Sequence, residues 1–283
     1  MKNKRLYIIA SVLIITILSI AFSVYEYIHL KIQPVMDFNS DPVLVAHAMG
    51  GLENAKYSNS LEAFKTNYKK GYRIFEADII ATSDNVLVLR HDWIEDYGQN
   101  LNLENGNIPT YKEFMKAPMY GKYTPLSLKD VFKLMKKHKD IYLITDTKEY
   151  APAKTKALFE QILADAESVN ATNCLDRVIV QIYNNAMYDA VMEVYPFKQI
   201  IYTLYVRGTH YFEQLCQFCV ERDINIITMD YKQHSQKLQA IADEYNIKTF
   251  VHTINKKKRA KKFYNRGVTG IYTDKLTSAS FEE

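Results

Sequence analysis

Short apolar segments alternate with amphipathic segments along most of this chain. Nine apolar segments have the length and composition of β-strands, at residues 43–46, 74–80, 86–89, 141–144, 178–182, 199–204, 224–229, 248–251 and 270–272. Six segments with helical spacing lie among them, at residues 61–70, 127–137, 152–167, 209–221, 236–245 and 256–266. Alternation of strand and helix is typical of a parallel sheet with its helices packed outside.

The number of strands predicts whether the sheet is open or closes into a barrel. Close to eight short strands, apolar on both faces, in a domain of about 250 residues favour a closed (β/α)8 TIM barrel over an open sheet. Residues 83–85 join two of the strands too closely for a helical crossover, so we expect a hairpin-like extension there. No linker or repeat interrupts residues 42–283, which we expect to form one barrel domain.

The N-terminal segment has a different pattern. Residues 6–25 carry no charged side chain, and roughly 20 apolar residues of helix cross a bilayer core. Basic residues precede this segment and Glu26 follows it, which predicts a single transmembrane signal anchor with the following domain outside the cytoplasm. Residues 1–5 would then be a cytoplasmic tail and residues 26–41 a juxtamembrane linker.

A cleaved signal peptide is the alternative for the same segment. Residues 21–23 resemble a small-residue cleavage site. The apolar run is longer than the roughly 7 to 15 residues usual for a signal peptide, which favours the anchor. We therefore expect a single-pass membrane protein whose barrel is extracytoplasmic.

Composition and charge narrow the classes of function. With 48% hydrophobic and 24% charged residues, the chain is too apolar to be disordered. Three of its four excess positive charges lie before residue 6, so the remainder is nearly neutral and no nucleic-acid partner is expected. Cys216 and Cys219 lie in a helical segment without a second cysteine pair, which favours small core side chains over a zinc site.

Acidic residues cluster at the ends of neighbouring predicted strands, where the catalytic groups of such barrels lie. Glu76 and Asp78 are two apart on one strand, and Asp146 and Lys148 are two apart at the end of another. Residues two apart on a strand point to the same face, so each pair projects into one cavity. Three carboxylates there require a compensating charge, and oxygen ligands suit a hard cation, which predicts a Mg²⁺ or Ca²⁺ site.

Two histidines lie beside these carboxylates in the predicted barrel. His47 follows the first strand and His91 follows the hairpin-like extension. Histidine suits acid–base catalysis near neutral pH, and a metal with Lys148 nearby can stabilise negative charge on a phosphoryl group. Four further polar residues are candidates for substrate binding, some of which also suit turns, caps or strand ends: Asn54, Asn59, Gln181 and Tyr183.

The order and spacing of these residues resemble the glycerophosphodiester phosphodiesterase family, in the wider phosphatidylinositol-phosphodiesterase-like barrel superfamily. Its first catalytic block resembles residues 43–51, 59–64, 71–78 and 87–92. The block that carries its third metal ligand resembles residues 142–148, and its closing strand resembles residues 268–274. The resemblance implies a metal-dependent phosphodiesterase that releases glycerol phosphate and an alcohol from glycerophosphodiesters.

The resemblance also implies roles for individual residues. His47 and His91 correspond to the acid–base pair. Glu76, Asp78 and Asp146 correspond to the metal ligands. Lys148 corresponds to a lysine near the phosphate. Two positions depart from the family pattern, because Ala48 replaces an arginine that contacts phosphate and Asp146 replaces a glutamate.

Two other interpretations stay open. Aspartate followed two places later by lysine also resembles the sphingomyelinase D-like phospholipases, which cleave choline-bearing phosphodiesters such as lysophospholipids, often to cyclic phosphates. A non-catalytic, membrane-tethered binding barrel would account for Ala48 and Asp146, although the retained histidines and carboxylates favour catalysis. The phosphodiester substrate is open among glycerophosphodiesters, lysophospholipids and glycerol-phosphate polymers, and the basic segment at residues 256–266 is either a solvated helix face or a contact for anionic lipid or polymer.

Overall fold

Eight parallel strands close into a barrel in this computed structural model, which describes residues 43–205 and 208–281 together with Thr16 and Ser19. The first strand, β1, pairs with both β2 and β9, and this double pairing closes the sheet. The nine strands in the described part of the chain are β1 (Val43–Ala46), β2 (Ile74–Ala81), β3 (Leu87–Leu89), β4 (Tyr142–Asp146), β5 (Val178–Ile182), β6 (Gln199–Thr203), β7 (Ile226–Asp230), β8 (Lys248–His252) and β9 (Gly270–Thr273). The predicted barrel is confirmed, and every predicted strand end lies within two residues of the observed one.

Helices cover the outside of this sheet. They are α1 (Leu61–Lys69), α2 (Tyr111–Lys116), α3 (Leu128–Lys137), α4 (Pro152–Ser168), α5 (Asn185–Met192), α6 (Phe212–Val220), α7 (Gln236–Glu244) and α8 (Lys257–Tyr264). Side-chain caps mark the start of several of them, as where Ser60 accepts a hydrogen bond from the backbone of Ala63. Helices α2 and α5 have no counterpart among the predicted elements.

The third strand forms the predicted hairpin-like extension. It lies antiparallel on β2, with Ile79 opposite Leu89, and Asn85 adopts a positive φ of 58° in the tight turn between them. Side chains from residues 93–123 then pack on a second small core around Val88, Phe114 and Met119. This extension places the start of the following loop, and therefore His91, over the end of β2.

Burial of the strands on both faces accounts for their continuous apolar sequences. All five residues of β5 are buried, between the barrel interior on one side and the helices on the other. Cys216 and Cys219 on α6 are free thiols that are buried in the main core. Their predicted place in the core agrees with the structure.

The prediction of a transmembrane helix requires correction. A bilayer core takes roughly 20 residues of apolar helix. The longest helix in the described ranges, α4, has 17 residues and includes Lys154 and Glu160, and none of the described helices is long and apolar enough to cross a membrane. The predicted transmembrane helix and the predicted single-pass, extracytoplasmic location are wrong on this finding. Residues 6–25 lie outside the described residues except for Thr16 and Ser19, as do residues 1–5 and 26–41, whose domain boundaries stay predictions.

Candidate active site

A cavity of about 630 Å³ opens at the carboxyl ends of the barrel strands. Active sites of such barrels lie at this end, because the loops that follow the strands converge there. Eight of the ten predicted site residues line the cavity: His47, Glu76, Asp78, His91, Asp146, Lys148, Gln181 and Tyr183. The predicted residues Asn54 and Asn59 are absent from its lining among the described residues.

Three carboxylates meet on one side of this cavity. Glu76 and Asp78 alternate on β2, and Asp78 is paired in register with Asp146 on the neighbouring strand β4. One carboxylate oxygen from each of the three lies within 4.8 Å of the others. Lys148 is the cation beside them, with its Nζ 2.7 Å from Asp78 Oδ1 and 3.9 Å from Asp146 Oδ2.

The electrostatics of this acidic triad (Glu76, Asp78 and Asp146) show a shortage of positive charge. Burial raises the pKa of Glu76 to about 8, and repulsion from Asp78 adds to the shift. Burial, again with Asp78, also raises the pKa of Asp146. Burial opposes ionisation of Asp78 as well, but Lys148 and the histidines outweigh it and lower the pKa. Three clustered oxygen donors with one lysine among them fit a hard divalent cation.

His47 is held by a carboxylate from the last strand. Its Nδ1 lies 2.9 Å from Asp274 Oδ1, so the ionised carboxylate accepts the Nδ1 proton and Nε2 is left for chemistry. Burial disfavours the charged imidazole, but Asp274 and Glu76 outweigh burial and raise the pKa of His47 to about 9. The other oxygen of Asp274 accepts from Asn255 Nδ2 at 2.6 Å, which fixes the carboxylate.

His91 is held by its sequence neighbour. Its Nδ1 lies 2.6 Å from Asp92 Oδ2, and the hydroxyl of Tyr97 donates to the same oxygen at 2.8 Å. Burial opposes ionisation of Asp92, but these hydrogen bonds and the backbone N–H of Glu95 hold its pKa well below the usual range. Both histidines therefore present Nε2 and have an acidic partner on Nδ1.

A buried arginine secures the loop that carries His91. Arg90 is fully buried, and its guanidinium donates to the backbone oxygens of Asp92 and Glu95 and to the side chain of Gln99. The same group lies over the rings of Trp93 and Tyr97, at 5.1 Å and 4.9 Å from their centroids. Loss of Arg90 would remove the donor to two backbone oxygens of the loop and to the buried side-chain oxygen of Gln99, and would loosen the loop.

Tyr57 lies between the two histidines. Its ring centroid is 5.1 Å from that of His47 and 4.5 Å from that of His91. The backbone of Tyr57 has a positive φ of 50°, which is uncommon for a bulky residue. A hydrogen bond from Asn59 Nδ2 to the carbonyl oxygen of Tyr57 holds this conformation. The ring of Tyr57 therefore contacts both imidazoles.

The four predicted substrate-binding residues have different surroundings. The hydroxyl of Tyr183 donates to Asp146 and accepts from the backbone N–H of Lys148, and Gln181 Nε2 lies 3.4 Å from the same hydroxyl. Asn59 is buried, and its Nδ2 donates to Asp78 Oδ2 at 2.9 Å. Asn54 lies on an exposed turn with a positive φ of 57°. Tyr183 and Asn59 thus contact the triad directly, and Gln181 contacts Tyr183. The roles of all four residues toward substrate stay predictions.

Several residues of the site were not assigned a role from the sequence. Asp274 and Tyr57 are the main ones, with Asn255 and Arg90 behind them. Asp274 could have been found, because it follows β9 directly and polar residues after strands mark the active end of such barrels. Tyr57 carries no such signal, since it lies in the middle of a loop.

Comparison with known proteins identifies the family. A sequence model of the glycerophosphoryl diester phosphodiesterase family matches residues 50–278. The chain belongs to this family. It is therefore a phosphoric diester hydrolase of the glycerophosphodiester phosphodiesterase type, with a buried acidic triad that is able to bind a metal ion. None of the curated proteins compared with the sequence matches it.

Solved structures of glycerophosphodiester phosphodiesterases share the fold of this family member. The enzyme from Parabacteroides distasonis aligns with a TM-score of 0.67 and 18% identity, covering 85% of this chain and 95% of its own. The enzyme from Thermotoga maritima aligns with a TM-score of 0.59 and 18% identity, covering 83% and 96%. A phosphodiesterase from Oleispira antarctica, in complex with the product sn-glycerol-3-phosphate, aligns with a TM-score of 0.62 and 17% identity, covering 82% and 93%.

Proposed function

We propose that this protein hydrolyses glycerophosphodiesters to an alcohol and glycerol phosphate, with His47 and His91 as the acid–base pair. The observation that carries the proposal is the matched geometry of the two histidines. Each has its Nδ1 bonded to a carboxylate, and both line the cavity that contains the acidic triad. Two imidazoles held in this way keep Nε2 in the correct tautomer to exchange protons with a bound phosphodiester.

The two histidines would divide the proton transfers. Nε2 of one removes a proton from the attacking oxygen as that oxygen forms its bond to phosphorus. Nε2 of the other gives its proton to the alcohol oxygen as the bond from phosphorus to that oxygen breaks. Asp274 stabilises the imidazolium form of His47, Asp92 holds Nδ1 of His91, and Tyr57 maintains the spacing between the two rings.

The acidic triad is proposed as the metal site, with Mg²⁺ or Ca²⁺ as the ion. Glu76, Asp78 and Asp146 would hold the cation, which when bound supplies positive charge to the phosphoryl oxygens. Lys148 contributes a second positive group, and its contact with Asp78 at 2.7 Å keeps its ammonium inside the cavity. Burial opposes that charge, but Asp78 and Asp146 outweigh burial and raise the pKa of Lys148, so it stays protonated.

Hydrolysis of glycerophosphocholine by the full-length protein tests the proposal. Release of glycerol phosphate is measured with EDTA, with Mg²⁺ and with Ca²⁺. We expect no turnover with EDTA and restored turnover with one of the cations. His47→Ala and His91→Ala are each expected to lower kcat by about 10²- to 10⁴-fold, the usual contribution of acid–base catalysis.

A matched control separates loss of chemistry from loss of structure. His210 is exposed, so His210→Ala should leave kcat unchanged. A folded His47→Ala or His91→Ala protein that keeps more than about a tenth of the activity would contradict the acid–base roles. Phosphorus NMR of the products identifies the nucleophile, since direct attack by water gives glycerol phosphate alone and attack by a substrate hydroxyl gives a cyclic phosphate first.

A further inference from the structure

The cavity has two chemically different walls. The wall formed by β1 to β4 holds both histidines, the acidic triad and Lys148. The opposite wall, formed by β6 to β8 and the loops after them, is lined by polar and aromatic side chains: Thr203, Tyr205, Asp230, Gln233, His252 and Thr253. A phosphodiester bound at the first wall would direct one of its two alcohol groups toward the second.

Asp230 is the carboxylate of this second wall. It ends β7, and its Oδ1 accepts from the backbone N–H of Lys232 at 2.7 Å. Its backbone N–H donates to Gln233 Oε1 at 3.1 Å, so the carboxylate is held in place by its own loop. Within residues 43–205 and 208–281, no lysine, arginine or histidine forms an ion pair with Asp230.

Basic side chains described on neighbouring elements have other contacts. Lys232 Nζ and the guanidinium of Arg259 lie over the ring of Tyr231, at 5.9 Å and 4.7 Å from its centroid. That ring packs against Phe263 of α8. His252, opposite Asp230 in the β7–β8 register, is kept uncharged because burial lowers its pKa to about 4. Among the described residues, therefore, Asp230 has no cation paired with it on the cavity wall.

An exposed aromatic ring accompanies this carboxylate. Tyr205 follows β6, the strand beside β7, and 66% of its surface is exposed. Gln233 Nε2 lies 3.5 Å from the carbonyl oxygen of Leu204, so the loops that carry Asp230 and Tyr205 are in contact. A carboxylate together with an aromatic face is the combination that binds organic ammonium groups, by charge and by cation–π attraction.

We propose that this second wall is the subsite for the leaving alcohol and that Asp230 selects an alcohol that carries an ammonium group. The inference rests on the proposed function. Charge balance supports it, because four carboxylates of the described residues line the cavity, and Lys148, a divalent cation and the imidazolium of His47 supply four positive charges. The phosphodiester adds a further negative charge, which an ammonium group on the same substrate compensates.

A pair of substrates that differ only in charge tests this inference. The first is glycerophosphocholine, and the second is its neutral carbon isostere, in which a tert-butyl group replaces the trimethylammonium group. We expect the wild-type protein to favour the choline ester in kcat/KM by about tenfold, a modest value for a charge pair open to solvent. In Asp230→Asn the preference should fall to near unity, because asparagine keeps the hydrogen bond to Lys232 and loses the charge.

The outcomes separate this inference from the proposed function. Equal kcat/KM for the two esters in the wild-type protein, or an unchanged preference in Asp230→Asn, overturns the subsite. Asp189→Asn, an exposed change on α5, is the control and should keep the wild-type preference. Hydrolysis of neither ester would refute the proposed function alone. In that case, calorimetric titration of the His47→Ala protein with each ester measures the same preference as a ratio of Kd values, without turnover.

Discussion

Replacement of Asp274 by asparagine tests how His47 is held. Both oxygens of Asp274 accept hydrogen bonds, one from His47 Nδ1 at 2.9 Å and one from Asn255 Nδ2 at 2.6 Å. Asn255 cannot turn its amide around, because its Oδ1 accepts from the backbone of Asp274 and from the hydroxyl of Thr273. An asparagine at 274 must therefore direct its oxygen at Asn255 and its NH2 group at His47.

This orientation reverses the tautomer of the imidazole. A donor opposite Nδ1 requires that Nδ1 lose its proton, so the neutral ring carries its proton on Nε2 and cannot accept one there. A hydrogen bond to a charged group contributes about 1.5–3 kcal/mol. At about 1.4 kcal/mol for each factor of ten, kcat should fall about 10- to 150-fold. KM should change little, since Asp274 does not line the cavity among the described residues.

The same change predicts a shift in pH dependence. Asp274 helps to raise the pKa of His47 from 6.5 to about 9, so its loss should move the corresponding limb of the rate profile to lower pH. A pKa raised by folding stabilises the protein fully below 6.5 and ceases to do so as the pH rises through about 9. The stability lost in Asp274→Asn should therefore be largest below pH 6.5 and fade toward alkaline pH.

The assay measures kcat and KM for glycerophosphocholine between about pH 5 and 10, together with urea unfolding at the two ends of that range. Asp189→Asn is the control, because it makes the same chemical change at an exposed position. If Asp274→Asn kept kcat within about threefold of the wild-type value and an unshifted pH profile, the hydrogen bond would have no part in orienting His47.

Three further predictions concern the surroundings of the site. Arg90→Met should lower the free energy of unfolding by about 3 kcal/mol, because Asp92, Glu95 and the buried side chain of Gln99 lose their hydrogen-bond donor, and an unchanged urea midpoint would contradict this. Mg²⁺ or Ca²⁺ at about a hundred times its Kd should stabilise the wild-type protein by about 2.7 kcal/mol but have a much smaller effect on Glu76→Gln, as measured by thermal unfolding. Tyr57→Leu should lower kcat more than Tyr57→Phe, since the ring spaces the histidines; equal values would refute that role.

The barrel was predictable because each of its strands can be recognised from its own local sequence. Each is a short apolar run buried on both faces and bounded by polar residues, so its ends could be placed from the pattern alone. Helix α5 was not predicted, because its eight residues are too few to show a clear helical period. Only two residues separate it from β5, so no loop pattern marks its start. Helix α2 was missed because it belongs to the second small core outside the barrel, which the strand–helix alternation does not describe.

The acidic triad was predictable for a related reason. Glu76 and Asp78 share one face of β2 by the period of a strand, and β4 brings Asp146 beside Asp78 once parallel pairing is assumed. Two of the groups that hold the histidines or their loops, Asp274 and Arg90, follow no such local rule. Asp274 lies 227 positions from His47 in the chain, and the orientation of Arg90 depends on the course of the loop that follows it.

Closure of the barrel brings His47 next to Asp274, the carboxylate that holds it. Parallel pairing of β1 with β9 sets Ala46 opposite Thr273, so the next residues along, His47 and Asp274, emerge side by side. His91 depends on another device, the hairpin of β2 and β3 that returns the chain over the triad. An open sheet with the same strands would keep Glu76 and Asp78 together but would separate His47 from its carboxylate. The acidic triad thus depends on adjacent strands, whereas the placement of the two histidines proposed as the acid–base pair depends on the closed barrel and its extension.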